Sequence, residues 1–383
     1  MAARSPDHLD RPECLGGLGL LHVLRVAWFI ALLTACGFPG TVRPTVKLGL
    51  VAPFEGRYRY VGYDVIHGVN LALHEVNQQG GVAGYGIELV AYDDGGDQAM
   101  AVEQARKLGV DPAVVGAIGH FRQDTIAAAV RVYGEAGVSL VAPGVLDPES
   151  ALGQGPVYRL GPTADLLAEA MLDRAAQLAP GGDIVLVGAA GPLAEALQRA
   201  AAQSLPTIAI EADGWEREVL VREPSLLLLA ADPVPAGEVI AALRSSGWSG
   251  RVLGGPALAA SDFVAVAGES ATGCAFVTPW PFPADVPGGD DFAAAYRRVS
   301  NGTEPGPLAL PAYNAVWTLL EALEQAAAEG QPTRRGVTAA LANAGRSGEL
   351  GRLTVDGSRQ WADLGLYWYR IGRQGAVSLL SEG

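Results

Sequence analysis

The sequence has little cysteine, and the cysteines it has are scattered. Its 383 residues include Cys14, Cys36 and Cys274, and no two of them form a CxxC pair. This spacing excludes a disulfide framework and a zinc site built on paired cysteines. Cys274 is therefore predicted to be a lone buried thiol that packs like a small hydrophobic residue.

The sequence also lacks any cluster of basic residues. It has 27 Lys and Arg against 41 Asp and Glu, a net charge of −14, and the basic residues are dispersed. A protein that follows a phosphate backbone needs a concentrated basic surface, so we expect no nucleic-acid partner. Hydrophobic residues make up 49% of the chain, which is enough for two domains of similar size, each with a full core.

Catalytic motifs are missing as well. There is no Walker loop and no GxSxG elbow. The closest signal for an enzyme is the turn at 188–194, which follows a predicted strand and is followed by Glu211, as in dinucleotide-binding folds. Its glycines are spaced GxxGxxA rather than GxGxxG, and Pro192 removes an amide where a phosphate would bind. We predict a protein that is not an enzyme, with no catalytic residue and no cofactor; an NAD-dependent enzyme is the remote alternative.

No set of side chains has the spacing of a metal site. His67 and His74 are seven residues apart, whereas two histidines that share a metal on a helix are four apart. Asp93, Asp94 and Asp97 lack the spacing of a calcium loop, and we expect this turn to cap the following helix instead. No metal is predicted.

The N-terminal residues indicate export and a lipid anchor. A run of about ten apolar residues begins at Val26 after a basic residue, and a membrane-spanning helix would need roughly 20. The run has the length of a signal-peptide core and ends in LTAC, which resembles a lipobox whose Cys36 becomes acylated. We predict a lipoprotein signal peptide at 1–35, and the acylated cysteine with a tether at 36–45. The protein would then be lipid-anchored at the extracytoplasmic face of the cell membrane. A chance cysteine after an ordinary signal peptide is the alternative.

The chain from residue 46 onward alternates short β-rich runs with amphipathic helices. The first series has predicted strands at 46–53, 87–94, 114–119 and 138–143 and helices at 65–77, 98–108 and 125–136. After 157–162 the same alternation restarts, with strands at 183–188, 207–212, 225–231 and 251–255 and helices at 166–178, 192–203 and 236–246. This pattern predicts an α/β fold of two doubly wound parallel-sheet lobes. His120 follows the third strand, where a ligand contact and a structural hydrogen bond are both possible roles.

The C-terminal part of the chain is predicted to complete both lobes. Helices at 290–299, 313–329 and 335–344 have no strands between them, so they must pack on an existing sheet. Strands at 351–356 and 365–372 then close the chain. We predict an N-terminal lobe of 46–160 plus 281–348 and a C-terminal lobe of 161–280 plus 349–383. Chain crossings near 160, 280 and 350 would form a hinge of three segments.

Several short motifs follow one another in a characteristic order. They are Gly80-Gly81, Gly84, Asp93-Asp94, VVGAIGH at 114–120, YGEAGVSLVAPG at 133–144 and AYNAVWTLLEAL at 312–323. Together they resemble the type I periplasmic binding proteins, specifically the branched-chain amino-acid (leucine-binding-like) family, over essentially all of 46–383. The resemblance implies an extracytoplasmic receptor that closes on a small ligand between its lobes and delivers it to an ABC permease and ATPase.

The amino-acid clamp of that family is largely missing at the matching positions. Gln123 stands where the resemblance implies a Ser or Thr for the ligand carboxylate, and Leu146 replaces a second hydroxyl residue. Ala257 replaces the acidic residue for the ligand ammonium, and Pro192 or Leu193 replaces an aromatic residue. Burying a charged group without a partner costs on the order of several kcal/mol. A zwitterionic amino acid is therefore an unfavourable ligand for this cleft.

We expect instead a ligand that is less charged or differently arranged. The predicted ligand-binding residues are Tyr58, Tyr60, Gln123, Asp124, Thr125, Pro143, Gly144 and Val145. Two alternatives stay open at this level: a degenerate cleft that has lost small-molecule binding, and an anchored sensor or interaction protein without a transport role.

Overall fold

The computed structural model describes residues 43–145, 156–330, 332–342, 345–348, 351–354, 359 and 365–380. The predicted signal peptide, the acylation of Cys36, the start of the tether and Leu146 therefore lie outside the described residues. Within the described part of the chain, no helix combines the length and the hydrophobicity needed to cross a membrane.

The first lobe is built on a five-stranded sheet in which every strand is parallel to its neighbours, in the order β2-β1-β3-β4-β5. Its central strands are buried along their whole length because helices cover both faces, which explains their continuous apolar sequences. Its elements are β1 (Thr45–Ala52), α1 (Arg59–Gln78), β2 (Gly86–Asp93), α2 (Gln98–Val110), β3 (Val114–Gly119), α3 (Gln123–Ala136), β4 (Ser139–Ala142) and β5 (Val157–Arg159).

The second lobe repeats this topology. Its parallel strands run in the order β7-β6-β8-β9-β10, which is the order of the first sheet displaced along the chain. Its elements are α4 (Ala164–Leu178), β6 (Ile184–Gly188), α5 (Pro192–Ala200), β7 (Thr207–Ala209), α6 (Trp215–Arg222), β8 (Leu226–Ala230), α7 (Pro233–Ser245), β9 (Arg251–Gly254), α8 (Ser261–Ala267) and β10 (Ala275–Thr278). The predicted fold class is confirmed.

The last strands modify the second sheet. The strand β13 (Tyr367–Ile371) pairs antiparallel with β10, and β14 (Val377–Leu379) pairs antiparallel with β13. The second sheet is therefore mixed, with two antiparallel strands at this edge. A C-terminal strand that arrives from the opposite lobe needs no crossover helix to pair in this direction.

The helices after residue 280 pack against the first sheet. They are α9 (Gly289–Val299), α10 (Ala309–Ala328) and α11 (Arg334–Leu341). Val316 and Val337 of these helices share one core with Leu48 and Leu50 of the first sheet. These helices therefore complete the layer on one face of that sheet.

The strand predicted at 351–356 has a different partner from the expected one. The structure contains β12 (Gly351–Thr354), but it pairs antiparallel with β11 (Gly345–Gly348) in a separate two-stranded sheet and not with the second lobe. The chain leaves the first sheet after Arg159 and the parallel part of the second after Thr278. The third crossing falls in a stretch that is only partly described, so the residue boundaries of the lobes stay a prediction.

Candidate ligand-binding cleft

The carboxyl ends of the two sheets carry equivalent close contacts. Gly119 ends β3 with φ +123°, and a Cβ there would lie 2.0 Å from the Val51 carbonyl oxygen of the neighbouring strand. Gly188 ends β6, and a Cβ there would lie 2.2 Å from the Ala230 carbonyl oxygen. Both positions mark the point where the strand order reverses, and open α/β sheets bind ligands in the crevice at that point.

One cavity of about 980 Å³ lies between the loops that follow these strand ends. Both lobes contribute to its wall. Its wall includes six of the eight ligand-binding residues predicted from the sequence, namely Tyr60, Gln123, Asp124, Pro143, Gly144 and Val145. Their contact with a ligand stays a prediction, but the structure brings them together at one cavity.

The other two predicted residues, Tyr58 and Thr125, are not among those lining the cavity. Tyr58 is 3% exposed and lies beneath the Arg122 guanidinium, whose central carbon is 3.8 Å from the ring centre. Thr125 is fully buried, and its hydroxyl donates to the Arg122 carbonyl oxygen at 3.0 Å. Both side chains hold the loop that carries Arg122, so the structure gives them a supporting position.

Arg122 and Asp124 neutralise one another at the cavity wall. The guanidinium donates from Nε to Oδ1 at 3.1 Å and from Nη2 to Oδ2 at 2.9 Å, a two-point contact. This wall therefore presents a paired charge, which is a poor partner for a single charged group of a ligand.

Six residues of α1 line the cavity, among them Tyr60, Asp64 and His67 at helical spacing. Burial raises the pKa of the Tyr60 phenol, which stays neutral. Burial also raises the pKa of the Asp64 carboxyl to about 7, although the amides of Leu308 and Gly306 donate to it at 2.8 and 2.7 Å and oppose that rise. The carboxyl of Asp64 is thus engaged in holding the loop before α10.

His67, which the sequence analysis excluded as a metal ligand and gave no other role, lines the cavity. Its ring meets the Tyr296 ring edge-on, with centroids 5.7 Å apart. Its Nδ1 is buried and has no hydrogen-bonding partner among the described residues. Burial lowers the pKa of the imidazole, which is therefore neutral near pH 7. The spacing from Tyr60 through Asp64 to His67 was the signal that could have revealed it.

His120 has a structural position beneath the cleft. Its Nδ1 lies 2.8 Å from Oδ2 of Asp94, and its Nε2 lies 3.0 Å from the hydroxyl of Tyr133. Because a carboxylate can only accept, Nδ1 carries the proton and donates it to Asp94. All three side chains are fully buried, and His120 is not part of the cavity wall. Of the two roles left open by the sequence, the structure shows the hydrogen-bonded one.

The second-lobe wall is built mostly from small and apolar residues, and Asp262 is a charged side chain in it. Ala257 and Pro192, which stand where the family clamp would have its acidic and aromatic residues, both line the cavity. At the edge of the cleft, Asp232 of the second lobe lies 3.8 Å from Arg57 of the first lobe. Within the described residues there is no group of three or more metal-binding side chains. Cys274 is buried, as predicted, and burial raises the pKa of its thiol to about 12.

A body of two similar α/β lobes with one cleft at the carboxyl ends of both sheets defines the class of two-lobed binding proteins. This chain belongs to the periplasmic binding protein family, which it matches over residues 45–215 and 217–376. A relative, the leucine-, isoleucine-, valine-, threonine- and alanine-binding protein of Pseudomonas aeruginosa, is 24% identical over 318 residues, which cover 79% of this chain and 84% of the relative.

Solved structures show the same fold at low sequence identity. The branched-chain amino-acid transporter substrate-binding protein LivJ of Streptococcus pneumoniae, in complex with isoleucine, has a TM-score of 0.76 and 20% identity, and covers 88% of this chain and 99% of its own. A solute-binding protein of an ABC transporter of R. palustris, in complex with benzoate, has a TM-score of 0.74 and 19% identity, with 88% and 95% covered. By their names, these relatives are binding proteins.

Proposed function

We propose that this protein is an extracytoplasmic solute-binding lipoprotein that captures a small ligand, an amino acid or a related polar compound, and delivers it to an ABC importer. Acylated Cys36 would hold it at the membrane, and the permease and ATPase would be its partners. The ligand leaves the cleft chemically unchanged.

The observation that supports this proposal most strongly is a cavity that both of the repeated lobes line. Its wall comes from the loops after the carboxyl ends of both sheets. A ligand in that position would contact both lobes at once, so binding favours the closed arrangement of the hinge. The relatives named above, which bind amino acids or benzoate according to their names, support a small solute of this kind.

Part of the charge at the cavity is already neutralised within the protein. Arg122 is paired with Asp124, and Asp64 is engaged by backbone amides. Ala257 offers no charge for an ammonium group. Arg59 of the first lobe and Asp262 of the second also line the cavity, and they are the charged side chains with which a carboxylate or an ammonium group of a ligand could pair.

Calorimetric titration of the purified protein with amino acids, amides and short carboxylates tests the proposal. Mass spectrometry of the protein as purified should in parallel identify any solute retained in the cleft. We expect micromolar or tighter binding of at least one weakly charged solute. The proposal fails if neither method finds any small molecule that binds.

The lipid anchor is tested separately at Cys36. In the native host, the wild-type protein should incorporate a labelled fatty acid and sediment with membranes. The Cys36→Ser variant should incorporate none and appear in the soluble fraction. Equal membrane association and processing of both proteins would exclude acylation at this residue.

Ala257 stands where the resemblance implies an acidic residue that binds the ligand ammonium. The lack of this residue also supports a second candidate, a sensor or a degenerate receptor of the same fold without a transport role. The variant Ala257→Glu separates the possibilities. If the cleft still closes on solutes, restoring an acidic group should improve the affinity for leucine about tenfold relative to wild type, whereas Ala257→Gln should not. A cleft that binds nothing in either variant favours the degenerate receptor.

A further inference from the structure

The cavity wall has charged residues from both lobes, and most of them are engaged by other groups of the protein. Arg122 and Asp124 form an ion pair, and Glu304 is bound by Arg297 at 2.9 Å. The carboxyl of Asp64 accepts two backbone amides. These groups are therefore poor partners for a charged group of a ligand.

Arg59 and Asp262 are the charged residues of this wall that lack such a partner among the described residues. Arg59 is the first residue of α1 in the first lobe and is exposed, whereas Asp262 lies in the first turn of α8 in the second lobe and is partly buried. Neither forms an ion pair or a side-chain hydrogen bond within the part of the chain that the structure describes, so they are not paired with one another. Both are available to a ligand group of opposite charge.

Asp262 is close enough to Tyr60 of the first lobe for its charge to act on the phenol. Burial is the main cause of the raised pKa of Tyr60, and the negative charges of Asp232 and Asp262 raise it further, while Arg122 opposes them. The phenol therefore stays neutral and lies in a negative field from the second lobe. A protonated amine at this place would donate to the carboxylate of Asp262 and to the phenol oxygen.

The positive charge of Arg59 acts on a different part of the cavity. Arg59 directly precedes Tyr60 in α1, yet it is not among the main charges that shift the pKa of the phenol. Successive residues of an α-helix do not face the same side, because each is turned by about 100° from the last. A cavity of about 980 Å³ is large enough for one ligand to reach both charges.

The acidic group of this cleft is displaced from the position that the family resemblance implies. Ala257 occupies that position, and Asp262 lies five residues further along the chain. An α-amino acid carries its ammonium and its carboxylate on one carbon atom, so its two charges need partners that lie close together. Two separate charges, one on each lobe, fit a ligand whose own charges are further apart.

We propose that the ligand is an amine–carboxylate with its two charged groups at opposite ends of the molecule, the protonated amine between Asp262 and Tyr60 and the carboxylate at Arg59. This inference rests on the proposed solute-binding function and specifies the ligand class of that same cleft. Because Asp262 and Arg59 belong to different lobes, such a ligand bridges the lobes and favours their closed arrangement.

Titration calorimetry with pairs of isomers tests this inference. In δ-aminovalerate and ε-aminocaproate the two charges are at opposite ends, whereas their isomers norvaline and norleucine carry both on one carbon atom. Wild-type protein should bind at least one of the end-to-end compounds about tenfold or more tightly than its isomer. The simple acid and the alkylamine of the same length each lack one charge and should bind about tenfold more weakly than that compound.

Two variants assign the charges of the ligand to the two residues. Asp262→Asn should lose about tenfold in affinity for the end-to-end compound, so that this compound and the simple acid bind within about threefold of one another. Arg59→Gln should lose only about threefold, because water screens an exposed guanidinium, and its preference for the end-to-end compound over the alkylamine should fall to about threefold.

Asp213→Asn and Arg106→Gln are the matched controls, because both residues are exposed, lie outside the cavity wall and undergo the same changes of charge. Each control should change every affinity by less than about twofold. Thermal transitions show whether the variants are folded. If a cleft variant does not fold, the preference of the wild-type protein between the isomers decides.

Three results would overturn the inference: norvaline and norleucine binding as tightly as their isomers, Asp262→Asn behaving like Asp213→Asn, or no binding of either end-to-end compound. Tight binding of norvaline or leucine alone would reject the separated charges and leave the solute-binding function standing. If no solute binds and mass spectrometry finds none retained, both proposals fail.

Discussion

The two walls of the cleft belong to sheets of the same topology, but their side chains differ in polarity. In the first lobe, the loops at the strand ends are held by polar contacts, namely the buried contacts of His120 with Asp94 and Tyr133 and the partly exposed pair of Arg122 with Asp124. In the second lobe, the equivalent loops present mostly small residues to the cavity, with Asp262 as a charged exception. Among them are Pro192, Pro256, Ala257, Ala259 and Ala260.

This difference suggests that the two lobes have different roles in ligand binding. A loop held by satisfied buried hydrogen bonds keeps its geometry without a ligand, whereas an apolar wall gains stability only when it covers apolar surface. The first lobe would therefore fix the orientation of the ligand, and the second would close over it. The predictions below test this contrast, from the largest expected effect to the smallest.

The largest effect is expected from removing the imidazole beneath the first-lobe wall. His120→Phe leaves the carboxylate of Asp94 and the hydroxyl of Tyr133 buried without their partner. We expect the free energy of unfolding to fall by about 3–5 kcal/mol. Urea denaturation of the variant beside wild type measures this loss.

His74→Phe serves as the reference for the loss of an exposed histidine, with an expected change within about 0.5 kcal/mol. A cost below about 1 kcal/mol for His120→Phe would mean that the buried contacts do not hold this wall.

The two lobes also differ in how an arginine caps their helices. Arg334 donates to the carbonyl oxygens of Val114 at 2.8 Å, Gly109 at 3.0 Å and Ala136 at 2.9 Å, and so joins the ends of α2 and α3. In the second lobe, Arg244 donates only to residues just beyond its own helix, Trp248 and Gly250, each at 2.9 Å.

Replacing each arginine by methionine compares the two caps, because methionine keeps much of the apolar stem. Arg334→Met should lower the free energy of unfolding by about 2–3 kcal/mol and Arg244→Met by about 1 kcal/mol. Denaturant titration of both variants is the measurement. Equal losses would show that the first lobe gains nothing from linking two helices.

The carboxyl of Asp64 should give the protein a pH dependence of stability. Its pKa rises on folding from 3.8 to about 7 because of burial. Between these values the folded state keeps a proton that the unfolded state has released, so stability falls as pH rises from about 4 to about 7, by roughly 1 kcal/mol per pH unit.

Asp64→Asn removes this titration and should flatten the slope in that range. His67 contributes the opposite slope, since burial lowers its pKa, but it is common to both proteins. The measurement is the difference in unfolding free energy between wild type and Asp64→Asn at pH 4.5, 5.5 and 6.5. A constant difference would show that the carboxyl titrates in the folded protein near its ordinary pKa.

The sequence predicted the sheets better than the cavity, and α1 shows why. Its helical pattern was detected only from Val65, yet the helix begins at Arg59. The first two turns present Tyr60 and Asp64 to the cavity, so they lack the apolar periodicity that marks a helix packed on a core. A helix that lines a cleft is thus hardest to detect from its sequence at the residues that face the cleft.

Short elements and pairings depend on contacts that the local pattern does not contain. The strand β10 has four residues, too few for a periodic signal, and was not predicted. The strand Gly351–Thr354 pairs with Gly345–Gly348, the strand just before it in the chain. A strand-like sequence does not indicate which other strand it will pair with. The positions of Gln123, Asp124 and the 143–145 turn followed from strand ends alone, and these residues do line the cavity.

The smallest effect is expected where the two walls meet at the edge of the cleft. The side chains of Arg57 and Asp232 are 72% and 31% exposed and lie 3.8 Å apart, so water screens their attraction. Arg57→Ala should therefore change the free energy of unfolding by less than about 0.5 kcal/mol. If this ion pair instead holds the lobes together, the same variant would weaken ligand binding about tenfold or more and lose that effect in 1 M salt. Calorimetric titration at low and high salt distinguishes the two cases. A large, salt-sensitive loss of ligand affinity would show that the ion pair at the edge of the cleft, and not the second-lobe wall, stabilises the closed arrangement.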